Sequence, residues 1–324
     1  MTTARTVPVT TELDGGELDA EDAWHVARRH GLWPLLVSSF VRFRYGDGFT
    51  HSRALALQSC LAVVPFLLAL TGLAADLDQE RPARVIAETI QAVSPGTGEQ
   101  DAMASALTGD ATSEEAGELA LGFGLAFALL SMGTAMAQVE RGLNRIYGIR
   151  RDRAAPAKYG RAGVLTAVLA APVGIGFIVL VAGGAFADAM TRHYGWSEGT
   201  VDLWNWLRWP LGLALLVLAI AVVLDHAPRR RQPALSWLAL GSGVAVLLSL
   251  LATGLLAAYV SVSGSFGAVY GPLAGVFALL LWSLLTSMAL FYGAAVCAQL
   301  EAVRAGEPDP AYDDPGRPHA EQVD

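Results

Sequence analysis

Charge is scarce in this sequence. Only 16% of its 324 residues are Asp, Glu, Lys or Arg, where a soluble domain carries about a quarter. Lys158 is the single lysine among 22 basic side chains. The two cysteines, Cys60 and Cys297, both fall in apolar stretches, so a disulfide framework is not expected. The histidines are His25, His30, His51, His193, His226 and His319. Apart from the weak pair His25 and His30, none shares a metal-ligand spacing on one helix face, so neither a metal nor another cofactor is expected. There is no GxxxxGK[ST] phosphate loop and no GxSxG nucleophile elbow. Nothing has the look of a two-metal carboxylate site, and the chain does not read as an enzyme. No acid or base lies well inside an apolar run, which argues against proton-coupled transport.

Apolar sequence is abundant instead. Hydrophobic residues make up 53% of the chain, and they come in blocks about as long as the roughly 20 residues that cross a bilayer. Six charge-free blocks stand out: 54–75, 119–139, 162–187, 209–224, 236–260 and 272–298. One such block could be a buried core helix, but six could not. In lipid every backbone amide needs an internal partner, so the blocks are predicted helices. The expected fold class is all-α: a polytopic membrane protein with a six-transmembrane-helix bundle. Trp204, Trp206 and Trp209 precede the short fourth block as an interfacial anchor. The polar, acidic first 20 residues lack the features of a cleaved signal peptide, so the first span is expected to double as the insertion signal.

Cations set the orientation, because Lys and Arg beside spans stay in the cytoplasm. Eighteen of the 22 fall on one alternating side: before span 1, between spans 2 and 3, between spans 4 and 5, and in the tail. Both termini are therefore predicted to be cytoplasmic. The basic segment 141–161 reads as topogenic and lipid-facing, not as a nucleic-acid surface. Residues 1–20 and 301–324 read as disordered tails around a 54–300 membrane domain. Within 21–53, Trp33, Leu36, Phe40 and Phe43 share a face while Arg42 and Arg44 point elsewhere, as in a helix lying in the cytoplasmic interface. The outer segment 76–118 carries ten acids and two arginines. It reads as a short helical cap with pieces near 82–93 and 99–107, or as a solvated acidic loop.

Several uncharged features remain. Ser131, Thr134 and Gln138 share a face of the second span; Gln58 lies in the first, and Ser283 and Thr286 in the last. Such residues either glue helices together or line a wet cavity. Pro65 and Pro172 lie deep in spans 1 and 3, where each frees a carbonyl and kinks its helix. Asp225 and His226 form either an acid–base pair or a helix-end contact. Glu140, beside Arg141, reads as half of a surface ion pair. Finally, "SGSFGAVYG" begins a ridge of small residues with fourfold spacing, Ser263, Gly267, Gly271 and Gly275, with Gly264 alongside. It suits close helix packing or a gate.

Three stretches carry a resemblance. "GSFGAVYGPLAGVFALLLWSLLTSMALFYGAAV", "GLNRIYGIRRDR" and "ALALQSCLAVVPFLLAL" resemble the last helix and its preceding turn, the LNR-x-YG segment and the first helix of the YihY/BrkB family of bacterial inner-membrane proteins. The family motif falls on Asn144, Arg145, Tyr147 and Gly148. The family's GAELNAEL pattern reads Gly293 to Leu300 here, with Ala295 and Gln299 in place of glutamates and Cys297 in place of asparagine. The resemblance implies six helices with both ends inside and an inner-membrane location. It also implies an envelope function: lipid or envelope-precursor transport, or a structural role binding envelope proteins. Membrane lipids are the expected partners, and nucleic acid is not. A ribonuclease label attached to some members finds no support in these residues.

Overall fold

The structure, a computed structural model, describes residues 6–13, 18–76, 114–180, 182–262 and 274–312. The outer segments near 82–93 and 99–107, and Gly264, Gly267 and Gly271, lie outside the described residues. Among the described residues all regular structure is helical. The helices are α1 (Ala20–His30), α2 (Leu32–Tyr45), α3 (Gly48–Asp76), α4 (Glu114–Ile146), α5 (Ala155–Leu180), α6 (Gly183–Tyr194), α7 (Glu198–His226), α8 (Leu235–Val262) and α9 (Ala274–Arg304).

Five of these are long and apolar enough to cross a membrane: α4, α5, α7, α8 and α9. Within the protein, 28% or less of each apolar window is buried. Leu130, Val164, Leu203, Trp206 and Leu255 all stand more than 60% exposed. A water-soluble protein rarely exposes so many large apolar side chains, and lipid is the solvent that tolerates them. The chain is thus a multi-pass membrane protein. The first predicted block lies in α3, which is 29 residues long.

Local chemistry explains the boundaries. The Asp19 carboxylate accepts from the amides of Glu21 and Asp22, capping α1, and Arg28, Arg29 and His30 sit at its negative end. Gly31, at φ 94°, breaks α1 from α2. The block 162–187 is interrupted: α5 stops at Leu180 and α6 begins at Gly183. The Gly183–Gly184 pair favours a break, and Trp204 Nε1 donates to the Gly183 carbonyl at 2.8 Å. Trp204, Trp206 and Trp209 lie within α7 instead of ahead of it. Pro172 and Pro210 are accommodated inside α5 and α7.

The chain divides into two compact units. One comprises residues 58–134 and 163–219. It holds an aromatic cluster of Phe186, Trp196 and Trp204. The other comprises residues 1–57, 135–162 and 220–324, and it contains the candidate site.

In that second unit, α8 and α9 lie side by side. A Cβ on Gly293 would come within 2.7 Å of Ala245 Cβ and as close to the Gly241 carbonyl, so the two backbones approach where both residues lack side chains. At Gly275 a Cβ would meet nothing within 4 Å. Helix α2 packs along α9, and the Tyr292 hydroxyl donates to the Leu36 carbonyl at 2.9 Å. Arg42 departs from the expected pattern: it does not face outward but is fully buried. Residues 6–13, expected within a tail, include the buried Thr10, and the Tyr312 amide donates to the Thr6 carbonyl.

Candidate functional site

The site grows from the C-terminal end of α4. Gly148, at φ 77°, terminates the helix, and the Ile149 amide returns to the Asn144 carbonyl at 2.7 Å. Only glycine adopts this left-handed backbone without penalty. A Cβ at Gly148 would also strike the backbone of Pro8 and Val9. The turn projects three side chains. Asn144, fully buried, donates to Asp152 Oδ1 at 3.1 Å and accepts from the Arg229 amide at 2.8 Å. Arg145 donates to the Arg150 carbonyl at 3.0 Å. Tyr147 is fully buried, and its carbonyl accepts from the Thr10 amide.

Over the Tyr147 ring lies Arg230, with its guanidinium carbon 4.6 Å from the ring centroid. Arg230 Nη2 donates to Glu301 Oε2 at 2.7 Å, and the two side chains are 3% and 0% exposed. The Tyr147 hydroxyl lies near Glu301 and Gln232 without making a well-aligned hydrogen bond to either. Burial pushes the Tyr147 phenol well above its usual range.

Arg42 completes the cluster. Its Nε donates to Gln299 Oε1 at 3.0 Å, and its Nη1 donates to Thr10 Oγ1 at 2.6 Å and to the Ile146 carbonyl at 3.4 Å. The Gln299 amide in turn donates to the Pro308 carbonyl. Burial pushes the Arg42 guanidinium down to about 10, which leaves it charged at neutral pH. Two buried cations, Arg42 and Arg230, therefore share one buried carboxylate, Glu301. Such a charge is tolerated only when hydrogen-bonded.

A second polar layer adjoins the first. Glu140 is buried and pairs with Arg153 at 3.0 Å, so it is not the surface partner of Arg141 that its sequence position suggests. Arg153 also donates to the carbonyls of Ala227 and Pro228. Burial alone would raise the Asp152 carboxyl, but Asn144, Lys158 and Arg141 outweigh it and hold the group below the usual range. Asp225 and His226 make a 2.9 Å contact at the end of α7.

The same unit carries an apolar groove of about 720 Å³. Trp33, Val37 and Phe40 of α2, Leu251 and Leu255 of α8, and Met288 of α9 are among its walls, with no charged side chain. The shared face of Trp33, Leu36, Phe40 and Phe43 forms one side of it.

The uncharged polar residues singled out by the sequence lie elsewhere. The Gln58 carbonyl oxygen is buried with no partner among the described residues. Thr134 donates to the Ser131 carbonyl, and Thr286 to those of Trp282 and Ser283, so both hydroxyls serve their own helices. Gln138 contacts His51 Nδ1 at 2.8 Å. None of these, nor Pro172 or Gly275, is among the described residues that line the groove; the side chain of Pro65 lies outside the described residues. The sequence does not assign Thr10, Arg42, Arg230 or Glu301 to a site, and it marks Gln299 only as the residue standing for a family glutamate. A further signal was that Gln299 and Glu301 bracket the abrupt end of a long uncharged run. Among the described residues no three of His, Cys, Asp and Glu gather to hold a metal ion.

Known proteins match this chain across the site. It matches the family described as Virulence factor BrkB over residues 39–316. YfkH of Bacillus subtilis (strain 168), named as ribonuclease-like, is 23% identical over 261 residues, covering 81% of this chain and 93% of that protein. A UPF0761 membrane protein of Chromohalobacter salexigens is 28% identical over 276 residues, covering 82% of this chain and 63% of its own length. No solved structure matches. The matched range holds Arg42, the Asn144–Gly148 turn, Arg230 and Glu301, and the chain belongs to the BrkB family of membrane proteins.

Proposed function

We propose that this protein is a six-span protein of the bacterial cytoplasmic membrane that holds, and moves between leaflets, a lipid-like or envelope-precursor molecule. The observation that carries this reading is the uncharged groove between α2, α8 and α9. In a bilayer a groove lined by Trp, Phe, Leu and Met accepts an acyl or isoprenoid chain, whereas water in it would find almost no partners.

The topology supports a sixth span in α3. Gly46, just before α3, lies against Ile146 at the end of α4, and Arg42 donates to the Ile146 carbonyl. A chain that leaves this end through α3 and returns through α4 crosses twice. The α4–α5 connection, the α7–α8 connection and the end of α9 meet in the same cluster. These are the arginine-rich connections, so this end is assigned to the cytoplasm with both termini. Helix α2 then lies near that interface with its apolar face on the groove.

Several arginines of 141–161 make contacts within the protein. Arg141 binds Asp152, Arg145 the Arg150 carbonyl, Arg153 Glu140, and Arg161 the His226 carbonyl. Cations engaged in this way offer no continuous free stripe to a phosphate backbone, which counts against nucleic acid as a partner and equally against a purely lipid-facing role for 141–161.

The test is reconstitution into vesicles with fluorescent phospholipid. Ala252→Trp and Ala289→Trp should each fill the groove, lower the lipid that co-purifies, and slow transfer between leaflets. A parent protein that retains no lipid and moves none ends this reading. The second reading is a non-transporting scaffold for envelope proteins, favoured by the buried ionic cluster. It predicts retained lipid without transfer.

A further inference from the structure

A second cavity lies beside the ionic cluster, apart from the groove walls. It holds about 410 Å³ and is lined by Glu12, Leu13, Arg161, Asp225, His226, Arg230, Arg231 and Gln232. Its chemistry is opposite to that of the groove, since all but one of its walls are polar or charged. We infer that this cavity binds a phosphate-type oxyanion, through the guanidinium groups of Arg161 and Arg231 at its rim and the field of buried Arg230 at its base.

Charge is the first support. Three guanidiniums face two carboxylates on the walls, and both carboxylates are engaged. Asp225 lies 2.9 Å from His226 Nδ1, and Glu12 accepts from the Arg231 amide at 3.4 Å. Among the described residues Arg161 bonds only through Nε, to the His226 carbonyl at 2.9 Å. Its terminal nitrogens remain for a ligand. A planar guanidinium with two parallel donors matches an oxyanion better than any other side chain does.

The base of the cavity is the second support. Arg230 spends Nη2 on Glu301 and on the Thr11 carbonyl. Its Nε and Nη1 are buried with no acceptor among the described residues, and its side chain is 3% exposed. Arg42 adds a further buried cation behind it. One carboxylate, Glu301, offsets these two charges. The positive excess, held in a poorly screened interior, favours an anion in the adjoining space.

The ligand has two sources. It is either a soluble phosphate compound or the phosphate of a lipid headgroup reaching the cytoplasmic rim. The experiment uses full-length protein in nanodiscs of zwitterionic phosphatidylcholine, titrated with inorganic phosphate against chloride at constant ionic strength. Calorimetry and melting temperature are the readouts. A parallel arm measures phosphatidylglycerol retention by native mass spectrometry. The site predicts saturable phosphate binding, weakened about tenfold in Arg161→Gln and again in Arg231→Gln, as for loss of one charge-assisted hydrogen bond. Arg28→Gln, on the exposed side of α1, serves as the folded control and leaves binding unchanged. If phosphate fails to bind but phosphatidylglycerol is retained by the parent and lost in both rim variants, the source is the headgroup. No saturable phosphate and no rim-dependent lipid overturns the site, as does binding unaffected by both rim substitutions.

Discussion

Arg42 and Gln299 are joined by a 3.0 Å hydrogen bond across 257 residues of sequence. The bond ties α2 to the end of α9, and Thr10 and Ile146 accept from Nη1 of the same guanidinium. Four distant segments therefore depend on one buried cation. The companion pair, Arg230 with Glu301, is equally buried, and its removal can be predicted in energetic terms.

Glu301→Leu should be severely destabilising. It leaves the Arg230 guanidinium buried beside Arg42 with no carboxylate, and breaking a buried pair from one side costs about 3–5 kcal/mol. The double variant Glu301→Leu with Arg230→Leu should recover part of that loss. Melting in detergent of the two singles and the double gives the coupling directly. Additive losses would show that the pair is not a unit.

Tyr147 should separate ring from hydroxyl. Tyr147→Phe keeps the face beneath Arg230 and should melt close to the parent. Tyr147→Leu loses the cation–π contact and packing and should cost about 2 kcal/mol or more. Equal behaviour of the two variants would mean that the 4.6 Å stacking contributes nothing.

Gly148, Gly195 and Gly306 all hold positive φ, at 77°, 67° and 81°. A Cβ on Gly195 or Gly306 meets open space, while one on Gly148 meets Pro8. Alanine at Gly195 or Gly306 should therefore cost only the conformational penalty, about 1–2 kcal/mol. Gly148→Ala should cost more and should loosen residues 6–13, read as faster amide exchange at Thr10. Similarly, Gly241→Ala and Gly293→Ala should separate α8 from α9, while Gly243→Ala and Gly254→Ala, in open positions, should be neutral or slightly stabilising.

Asp152 carries a pH dependence. Its carboxyl sits below its ordinary value of 3.8 because Asn144, Lys158 and Arg141 bind the ionised form more strongly than burial opposes it. A depressed native pKa contributes stability that is complete above the unfolded value and is lost as pH falls through the native one. Melting temperature should therefore fall below about pH 4 in the parent. Asp152→Asn should start lower at neutral pH and show a shallower acid decline.

Much of the scaffold was legible in the sequence, because bilayer-length apolar blocks leave the backbone little choice but helix. The face shared by Trp33, Leu36, Phe40 and Phe43 was legible for the same periodic reason. The break at Gly183 was not, since it depends on Trp204 reaching its carbonyl from another helix. The ionic cluster was the least legible part. Arg42 looked like an outward cation because its partners lie on segments remote in sequence. Arg229 to Arg231 looked topogenic, and Glu301 looked like the first residue of a tail. Local pattern specifies which face of a helix is apolar. It does not specify which charge will be enclosed by segments far away along the chain.

The position of Gln299 and Glu301 has a consequence for biosynthesis. A membrane protein is made from its N-terminus, so Arg42 and Arg230 both emerge before their partners on α9. Until α9 is made, Arg42 and Arg230 lack their Gln299 and Glu301 partners, and Thr10 and Ile146 are the partners of Arg42 that already exist. Insertion of α9 closes the assembly. A chain cut short before Gln299 lacks the closing residues entirely, so the final few residues of the last helix distinguish a finished molecule from an abandoned one.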